Sequence, residues 1–304
     1  MPKRRSEFPQ SLRSRWLGER MRELRDERGL TLKYVAAYLG CEFSTLARYE
    51  RAEWPFRKDH VVSLLDMYGV YDEVERERLV QLAQDAWRVS RWEVDFDNTI
   101  EDPDFVDCLW LELRSEEICC YSTMVVPPLL WTESYASALF RALNGPLIQE
   151  FKVDRWVALL RDRQKVLSGK DRVRVTALIE EQVLHRPVGS PAVMRDQLEH
   201  LLKVSDRGDT SVQVRVVPTN RTIHPGCLGA FTVFRMPLPY PPVAYLEHLG
   251  GRLYVESDGA RQHNEAFDKI AECALTVPES AQVISDMAAE EPLDGRVDGM
   301  RWAA

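Results

Sequence analysis

The sequence contains no long apolar run, since none of its segments approaches the roughly 20 consecutive apolar residues that a transmembrane helix requires. Its basic start, Met1–Ser6, is followed by no apolar stretch and therefore lacks the pattern of a secretory signal. We expect a cytoplasmic protein that has no membrane-spanning segment.

Cysteine is scarce, with six residues at positions 41, 108, 119, 120, 227 and 273. Their spacing fits neither the ligand pairs of a zinc site nor the density of a disulfide framework, so we expect buried thiols, no metal and no cofactor. The adjacent Cys119 and Cys120 are expected on a strand, where neighbouring side chains point to opposite faces and are poorly placed to form a disulfide.

The sequence also lacks the residue spacing of a catalytic site. His224, in the segment Thr-Ile-His-Pro-Gly at residues 222–226, is a candidate base or ligand contact, but no serine or cysteine nucleophile is placed beside it by spacing. A structural histidine in a turn between two strands is the favoured alternative. We therefore do not expect an enzyme.

Charge is distributed unevenly along the chain. The net charge is −8, yet residues 1–58 contain 14 Lys and Arg against 8 Asp and Glu, which leaves a net charge of −14 on the remaining residues. A basic segment concentrates a protein on the phosphates of nucleic acid, although Arg-rich helices are also common as solvated faces. The distribution fits a small DNA-binding head followed by an acidic body.

The head contains a pattern of two short helices joined by a tight turn, GLTLKYVAAYLGCEFSTLARYE at residues 29–50. Thr31 is expected to cap the first helix, and Gly40 supplies the backbone freedom that ends it. Ala36 is small enough for the second helix to approach closely. These features predict a helix-turn-helix in which residues 43–51 form the recognition helix that enters the major groove of DNA.

Apolar residues recur at helical spacing through the head and predict the inward faces of four helices. They are Leu17, Met21, Leu24, Val35, Leu39, Leu46, Tyr49, Val61, Leu64, Leu65 and Tyr68. The outward face of the third helix then consists of Phe43, Ser44, Thr45, Ala47, Arg48 and Arg51. Arg48 is a candidate for a guanine edge, Ser44 and Thr45 for bases or phosphates, and Phe43 for a thymine methyl.

The head resembles the lambda-repressor/Cro (XRE) family over residues 17–68, through the pattern just described. The resemblance implies a buried ion pair between Arg25, near the end of the first helix, and Glu50, at the end of the recognition helix. We interpret this pair as structural, because breaking a buried pair leaves an uncompensated charge.

The sequence departs from the family's pattern in the parts that usually contact phosphates. Leu32 stands where a Gln is frequent, with Lys33 beside it as a substitute, and residues 51–55 hold neither the usual Asn-Gly nor a basic loop. We therefore expect modest affinity, with Arg57 and Lys58 as phosphate contacts. The predicted DNA-contacting residues are Thr31, Lys33, Phe43, Ser44, Thr45, Arg48, Arg51, Arg57 and Lys58.

Helical patterns alternate with strand-like runs in the rest of the chain. Helices are predicted at residues 103–116, 132–143, 151–168, 191–205 and 260–289. The clearest strand is 211–217, which has an apolar residue at every second position; further strands are predicted at 118–126, 230–236, 242–247 and 251–256. The predicted fold class is mainly α followed by α+β: an all-helical lambda-repressor-like head, then an antiparallel sheet with packed helices.

The predicted domain order has five parts. They are a basic N-terminal tail at 1–16, a helix-turn-helix DNA-binding domain at 17–70, a linker helix at 71–91, an α+β regulatory or partner-binding domain at 92–289, and a disordered tail at 290–304. Candidates for lining a ligand or partner pocket in the fourth part are Trp131, Tyr135, His224 and Tyr245. Trp131 and Tyr135 fit a plug in the core of that domain equally well.

A second resemblance covers the body of the chain. Its segments are VVPPLLWTESYA at 125–136, LHRPVG at 184–189, MRDQLEHL at 194–201 and HPGCLGAFT at 224–232. In this order they resemble the actinobacterial WhiJ-like regulators, also called Scr-type antitoxin-like transcriptional regulators. Pro128 and Trp131 replace the Gly and Gln that relatives usually have there. The resemblance implies a transcriptional regulator that is often paired with a small companion protein encoded nearby, which behaves as toxin to antitoxin.

Three hypotheses follow. The first is a dimeric DNA-binding repressor whose body receives a signal from a small partner protein or a ligand, with half-sites about 10 base pairs apart. The second is an antitoxin-like protein that mainly neutralises a small partner and binds DNA for autoregulation. The third, an enzyme with a pocket around His224 and Tyr245, ranks well below both.

Overall fold

The computed structural model describes residues 11–87, 103–170, 172–206, 211–220, 223–237 and 240–289. The chain divides into two compact units, residues 1–108 and 109–304. The division therefore falls later than the domain boundary predicted after residue 91. The predicted tail at 290–304, residues 1–10 of the predicted basic tail and residues 88–91 of the predicted linker helix lie outside the described residues.

The first unit is helical. Its helices are α1 Leu12–Glu27, α2 Leu32–Tyr38, α3 Phe43–Glu50, α4 Lys58–Met67 and α5 Glu73–Trp87, followed by α6 Pro103–Arg114, within which the first unit ends. All the predicted inward residues of the head are buried except Leu39, which is half-buried. The predicted helical head is confirmed.

Local signals begin and end the helices of the head. The side chain of Thr31 accepts a hydrogen bond from the backbone N–H of Tyr34, as expected of an N-cap. Gly40 has a φ of 65°, the left-handed conformation that glycine adopts without a steric penalty. It follows Leu39, the C-cap residue of α2. Both predicted signals of the first helix of the motif are present.

Helix α1 begins at Leu12, so the predicted basic tail at 1–16 is too long. The side chains of Leu12 and Trp16 are buried. The backbone N–H of Leu12 donates to Asp107 Oδ2 at 2.8 Å, and Arg13 Nη1 donates to the carbonyl oxygen of Asp85 at 2.8 Å. The apolar periodicity that predicted the helix begins only at Leu17. The two long-range bonds hold the preceding turn in the helix as well.

The predicted linker helix is a fifth helix of the first unit. Helix α5 packs on α1 and α4, and its Leu79, Leu82 and Ala83 are buried. Arg20 of α1 donates two hydrogen bonds to Glu75 Oε1, at 2.9 and 2.7 Å. The sequence correctly predicted an amphipathic helix here. Its apolar side, however, packs into the core of the first unit.

The second unit contains a six-stranded sheet with helices. The strands are β1 Glu117–Ser122, β2 Arg174–Glu180, β3 Val212–Val217, β4 Phe231–Arg235, β5 Val243–His248 and β6 Gly251–Val255. Their order in the sheet is β3-β2-β1-β4-β5-β6. The predicted α+β class is confirmed.

The sheet is mixed, which corrects the prediction of an antiparallel sheet. Strands β1, β2 and β3 are mutually parallel, with Tyr121 opposite Leu178 and Leu178 opposite Arg215. Strands β4, β5 and β6 continue the sheet in antiparallel order from β1. Helical crossovers separate the parallel strands, and such long connections are the ones that parallel pairing requires.

Strand β2 was not predicted, because its sequence does not alternate. Its segment RVTALIE is buried from Val175 to Glu180 except at Thr176, which is half-buried. A strand covered on both faces reads as a continuous apolar run, which periodicity alone does not distinguish from a buried helix.

The helices of the second unit follow the predicted spans closely in most places. They are α7 Glu133–Asn144, α8 Glu150–Arg163, α9 Glu181–His185, α10 Pro191–Ser205, α11 Ser257–Cys273 and α12 Val277–Ala289, with short 3₁₀ turns at Pro128–Leu130, Gln164–Leu167 and Pro225–Leu228. The predicted helix at 260–289 is two helices. Ala274 is extended, and the N–H of Leu275 donates to Val216 of the edge strand β3.

A hydrophobic cluster in the core of the second unit lies between the sheet and α11. Its members are Cys119, Tyr121, Leu178, Val217, Phe231, Val233, Ala244, Phe267, Ile270 and Ala274. Cys120 is also buried but on the opposite face of β1, and burial raises its pKa to about 12. Both thiols are free and buried, as is that of Cys108. The prediction of buried thiols is wrong for Cys41 and Cys273, which are half-buried, and for Cys227, which is exposed. None of the helices in the described ranges has the length and apolar character needed to cross a membrane.

Candidate nucleic-acid interface

Helices α2 and α3 are joined by a four-residue turn. After Tyr38 the chain turns at Gly40, where the N–H groups of Gly40 and Cys41 donate to the carbonyls of Ala37 and Ala36 at 3.2 and 3.0 Å. These two bonds satisfy carbonyls that the end of α2 would otherwise leave without a partner. The turn sets the angle at which α3 leaves α2, and it is the defining geometry of a helix-turn-helix.

A close approach between α1 and α3 holds the recognition helix. A Cβ atom added to Gly18 would lie 2.8 Å from the carbonyl oxygen of Glu50 and 2.9 Å from that of Tyr49. Only glycine fits at this crossing. Sequence reasoning assigned close packing to Ala36, which is buried, and missed Gly18. The available signal was a glycine inside an amphipathic helical pattern, which commonly has a packing reason.

The predicted pair of Arg25 and Glu50 is present. Arg25 Nε donates to Glu50 Oε1 at 2.7 Å and Nη2 donates to Oε2 at 2.9 Å, while the two side chains are only 9% and 5% exposed. Arg25 Nη1 also donates to the carbonyl of Leu30 at 2.9 Å. The hydrogen bond with Glu50 raises the pKa of Arg25. One guanidinium thus connects α1, the turn before α2 and the end of α3.

The solvent-facing side of α3 carries most of the predicted base-contacting residues. Phe43 is 60% exposed, Ser44 and Arg48 are exposed, and Thr45 is half-buried. Ala47 is buried, which corrects its assignment to the outward face. It lies one residue after Leu46, so the inward stripe of α3 is wider than the apolar spacing indicated.

The beginning of α2 provides a second exposed group. Thr31 and Lys33 are exposed, and the hydroxyl of Thr31 is engaged in its capping bond. Tyr34 and Tyr38, which sequence reasoning did not select, are 61% and 55% exposed on the same helix. Exposed tyrosine hydroxyls at these positions are able to donate to phosphate oxygens.

Acidic side chains lie beside the three predicted DNA-contacting arginines. Glu53 accepts a hydrogen bond from Arg51 Nε at 2.7 Å, and its other oxygen lies 3.7 Å from Arg48 Nε. The bond from Arg51 lowers the pKa of Glu53, so this carboxyl stays ionised. Arg57 donates to both oxygens of Asp59, at 3.1 and 2.8 Å.

Arg48 has an aromatic neighbour as well. Its guanidinium carbon lies 4.6 Å from the centroid of the Trp54 ring, which is within the range of a cation–π contact. Trp54 in turn lies edge-on to the buried Tyr49 at 6.5 Å. The loop after α3 therefore orients Arg48 through a ring and a carboxylate.

The four pocket candidates of the body do not form one pocket. Tyr135 is completely buried, its ring lies 6.1 Å from that of Trp131, and both belong to the packing around Val126. Tyr245 pairs with Thr232 on β4, which pairs with Cys120, so it lies on the sheet face opposite Tyr121. His224 borders a cleft.

His224 lies beside two residues that sequence reasoning missed. Its Nε2 atom is 3.3 Å from Glu180 Oε1, and its ring is edge-on to Tyr121 with centroids 6.0 Å apart. No local signal links these three positions, because they come from β1, β2 and the connection before β4. No group of three or more potential metal ligands was found among the residues that the structure describes.

The two units match two family models. The first unit has the fold and the exposed second helix of a helix-turn-helix DNA-binding domain, and residues 16–79 match the family described as a helix-turn-helix domain. Residues 105–286, more than half of the chain, match the family described as domain of unknown function (DUF5753). The chain belongs to this second family. No curated protein and no solved structure matches the chain.

Proposed function

We propose that the protein is a sequence-specific transcriptional regulator of the XRE type, and not an enzyme, in which α3 reads the major groove of DNA. The observation that carries the proposal is the exposed face of α3, with Arg48 at its centre, on a helix fixed from behind by Gly18 and the Arg25–Glu50 pair. A rigid support and an exposed set of polar and basic side chains are what major-groove recognition requires.

The proposed contacts divide into two groups. Arg48 forms a bidentate contact with a guanine edge, Ser44 and Thr45 contact bases or phosphates, and Phe43 contacts a thymine methyl. The phosphate contacts are made by Thr31, Lys33, Arg51, Arg57 and Lys58. Lys33 and Lys58 are exposed and form no ion pair within the described part of the chain, so they are available at no cost in lost bonds.

In this proposal the second unit controls DNA binding. We place the protein as a homodimer on two half-sites about 10 base pairs apart, which is one helical turn of DNA. The second unit responds to a ligand or to a small companion protein encoded nearby, as in the WhiJ-like regulators that the body resembles. A signal of this kind changes DNA affinity only if it binds the DNA-competent form differently from the other form.

The charge pattern favours a second candidate, an antitoxin-like protein that mainly neutralises a small basic partner. The chain after residue 58 has a net charge of −14, and the DNA-facing arginines already have carboxylate neighbours. Rescue of growth from the companion protein by a chain that lacks residues 1–108 would favour this candidate. Loss of DNA binding when the companion is added to the full chain would favour the regulator.

The test is a titration of the full chain against DNA from its own upstream region, at several salt concentrations and with unrelated DNA as competitor. We expect saturable, selective binding whose affinity falls steeply with salt. Arg48→Ala is expected to weaken binding to the specific site by about 1–3 kcal/mol and to leave the fold intact. The matched control is Arg261→Ala, which removes an exposed arginine from α11 of the second unit.

Equal affinity of Arg48→Ala and the parent protein for the specific site would contradict the role given to Arg48. Weak binding that unrelated DNA abolishes would contradict the regulator itself and direct attention to the antitoxin-like function.

A further inference from the structure

A cleft of about 330 Å³ lies at the carboxyl ends of the parallel strands β1, β2 and β3. Its walls include Tyr121 of β1 and Thr123 just after it, Glu180 at the end of β2 and Gln182 of α9, and Pro218 and Thr219 after β3. In sheets with parallel strands, ligands bind outside the carboxyl ends of the strands. The volume is at the lower end of the range found for small-molecule sites, which is about 300–1,000 Å³.

The connection from β3 to β4 closes one side of this cleft. Strand β4 begins opposite the end of β1, so the connection has to pass the ends of β2 and β1 to reach it. It contributes Ile223, His224, Gly226 and Cys227 to the lining. A Cβ atom on Gly226 would lie 2.3 Å from the hydroxyl oxygen of Tyr121, so only glycine lets the turn lie this close to the tyrosine.

A carboxylate forms the polar floor of the cleft. The side chain of Glu180 is 11% exposed. Its Oε1 atom accepts a hydrogen bond from the hydroxyl of Tyr121 at 2.6 Å, and burial together with this bond raises the pKa of Tyr121, which keeps the hydroxyl a donor. Glu180 lines the cleft, and within the described residues its Oε2 atom accepts no hydrogen bond.

The histidine of the cleft has both ring nitrogens engaged. Nδ1 of His224 accepts a hydrogen bond from the backbone N–H of Gly226 at 3.2 Å. Its Nε2 atom lies 3.3 Å from Glu180 Oε1. His224 orients the carboxylate, which leaves Glu180 Oε2 as the acceptor available to a ligand.

Among the described residues that line the cleft, Glu180 is acidic and none is a lysine or arginine. Beside its carboxyl group lie the Tyr121 hydroxyl, which donates to it, and the His224 ring. A largely buried carboxylate with an open oxygen favours a positively charged partner that donates an N–H group. Beside it, Pro218 and the 87% exposed Ile223 provide apolar surface.

We propose that this cleft binds a small organic cation, whose ammonium or amidinium N–H groups donate to Glu180 Oε2 while its apolar part contacts Pro218 and Ile223. The site deepens the proposed function by naming the ligand class of the second unit. Cation binding is measured without DNA. A negative result would therefore contradict the cation site but not the proposed DNA binding, and failure to bind DNA would not contradict the cation site.

The first experiment is a calorimetric titration of the full chain with benzylammonium and benzamidinium, and with benzyl alcohol and benzoate as uncharged and anionic probes of similar size. We expect saturable binding of one cation per chain and none of benzoate. Glu180→Gln is expected to weaken cation binding about tenfold or more, because a charge-assisted hydrogen bond is replaced by a neutral one. Glu265→Gln, which makes the same change at an exposed position of α11, is expected to leave binding unchanged.

A second measurement needs no variant and covers the case in which Glu180→Gln does not fold. Cys227 lines the cleft and is exposed, so the rate of its alkylation by iodoacetamide, followed by peptide mass spectrometry, reports on occupancy. Saturating benzylammonium is expected to slow alkylation of Cys227 and to leave Cys273 unaffected. Absence of cation binding, equal binding of benzoate, or unchanged alkylation of Cys227 would each overturn the proposal.

Discussion

Glu53 lies between Arg48 and Arg51, two arginines proposed to contact DNA. It accepts a hydrogen bond from Arg51 at 2.7 Å and is 3.7 Å from Arg48, so we expect DNA to compete with this carboxylate for both guanidinium groups. The sequence predicts a modest affinity for DNA, and the carboxyl group of Glu53 is a candidate for its cause. Glu53 is an exposed residue, so salt screens its effect.

Glu53→Gln is expected to tighten DNA binding by about three- to tenfold at low salt and to steepen the dependence of affinity on salt, because more cationic groups are released to phosphates. The measurement is the affinity of the full chain for its site at a series of salt concentrations. Glu77→Gln on α5, an equal change of charge at an exposed position, is the control. If both variants tighten binding equally, net charge and not the position of Glu53 is responsible.

Glu50 is the opposite case, a carboxylate that is buried and paired with Arg25. Glu50→Ala is expected to cost about 3–5 kcal/mol of unfolding free energy, because it leaves a buried guanidinium without its partner. Urea denaturation followed by circular dichroism measures this cost. Glu23→Ala, which breaks the exposed pair with Arg20, is expected to cost less than about 1 kcal/mol. Equal costs for the two variants would show that burial adds nothing to the Arg25–Glu50 pair.

At the scale of elements, the position of α3 depends on a residue of α1. Gly18 lies in the middle of a helix, where alanine would ordinarily be favoured by about 1 kcal/mol. The carbonyl oxygens of Tyr49 and Glu50 occupy the space that a Cβ would need. The packing of the two helices therefore overrides helix propensity at this position.

Gly18→Ala is expected to destabilise the protein by about 1–3 kcal/mol, since the added methyl forces α1 and α3 apart. Selective DNA binding is expected to fall more than stability alone explains, because α3 is displaced. Thermal unfolding and DNA titration of the same variant provide the two readouts. Glu19→Ala, at the exposed neighbouring position, should be neutral or slightly stabilising. A stable Gly18→Ala variant with normal DNA binding would disprove the close approach.

The helices and strands also differ in how well a short stretch of sequence predicts them. Helices α2 and α3 were predicted from a cap, a turn glycine and apolar spacing, all of which act within a few residues. Strand β2 escaped prediction because its buried run lacks alternation, and the parallel pairing of β1 with β2 joins segments that are far apart in the chain. Residue preference carries little information about which strands become neighbours.

At the scale of the whole molecule, charge separates the DNA-binding part from the rest. Residues 1–58 have a net charge of +6, residues 59–108 a net charge of −10 and residues 109–304 a net charge of −4. An acidic body repels nucleic acid, and this repulsion is felt over distances set by the ionic strength. We therefore expect the acidic residues after position 58 to lower non-specific DNA binding by the basic segment.

Residues 109–304 carry a net charge of −4, so a chain consisting of residues 1–108, the first compact unit, is expected to bind unrelated DNA modestly more tightly than the full chain at low salt. The difference should shrink as salt is raised to about 0.3 M, where the screening length falls below about 6 Å. Fluorescence anisotropy on one labelled duplex measures both proteins. Equal affinities at low salt would mean that the acidic body has no electrostatic influence on DNA binding.

The sequence alone determined the class of the head, the Arg25–Glu50 pair implied by family resemblance, the α+β class of the body and the separation of charge, because these depend on short-range spacing or on composition. Only the tertiary structure decided that Gly18 supports α3, that Glu53 contacts Arg48 and Arg51, and that Tyr121, Glu180 and His224 meet in one cleft. Such sites form when segments that are distant in the sequence pack together. The free energy of that packing depends on the whole chain and cannot be inferred from a local sequence pattern.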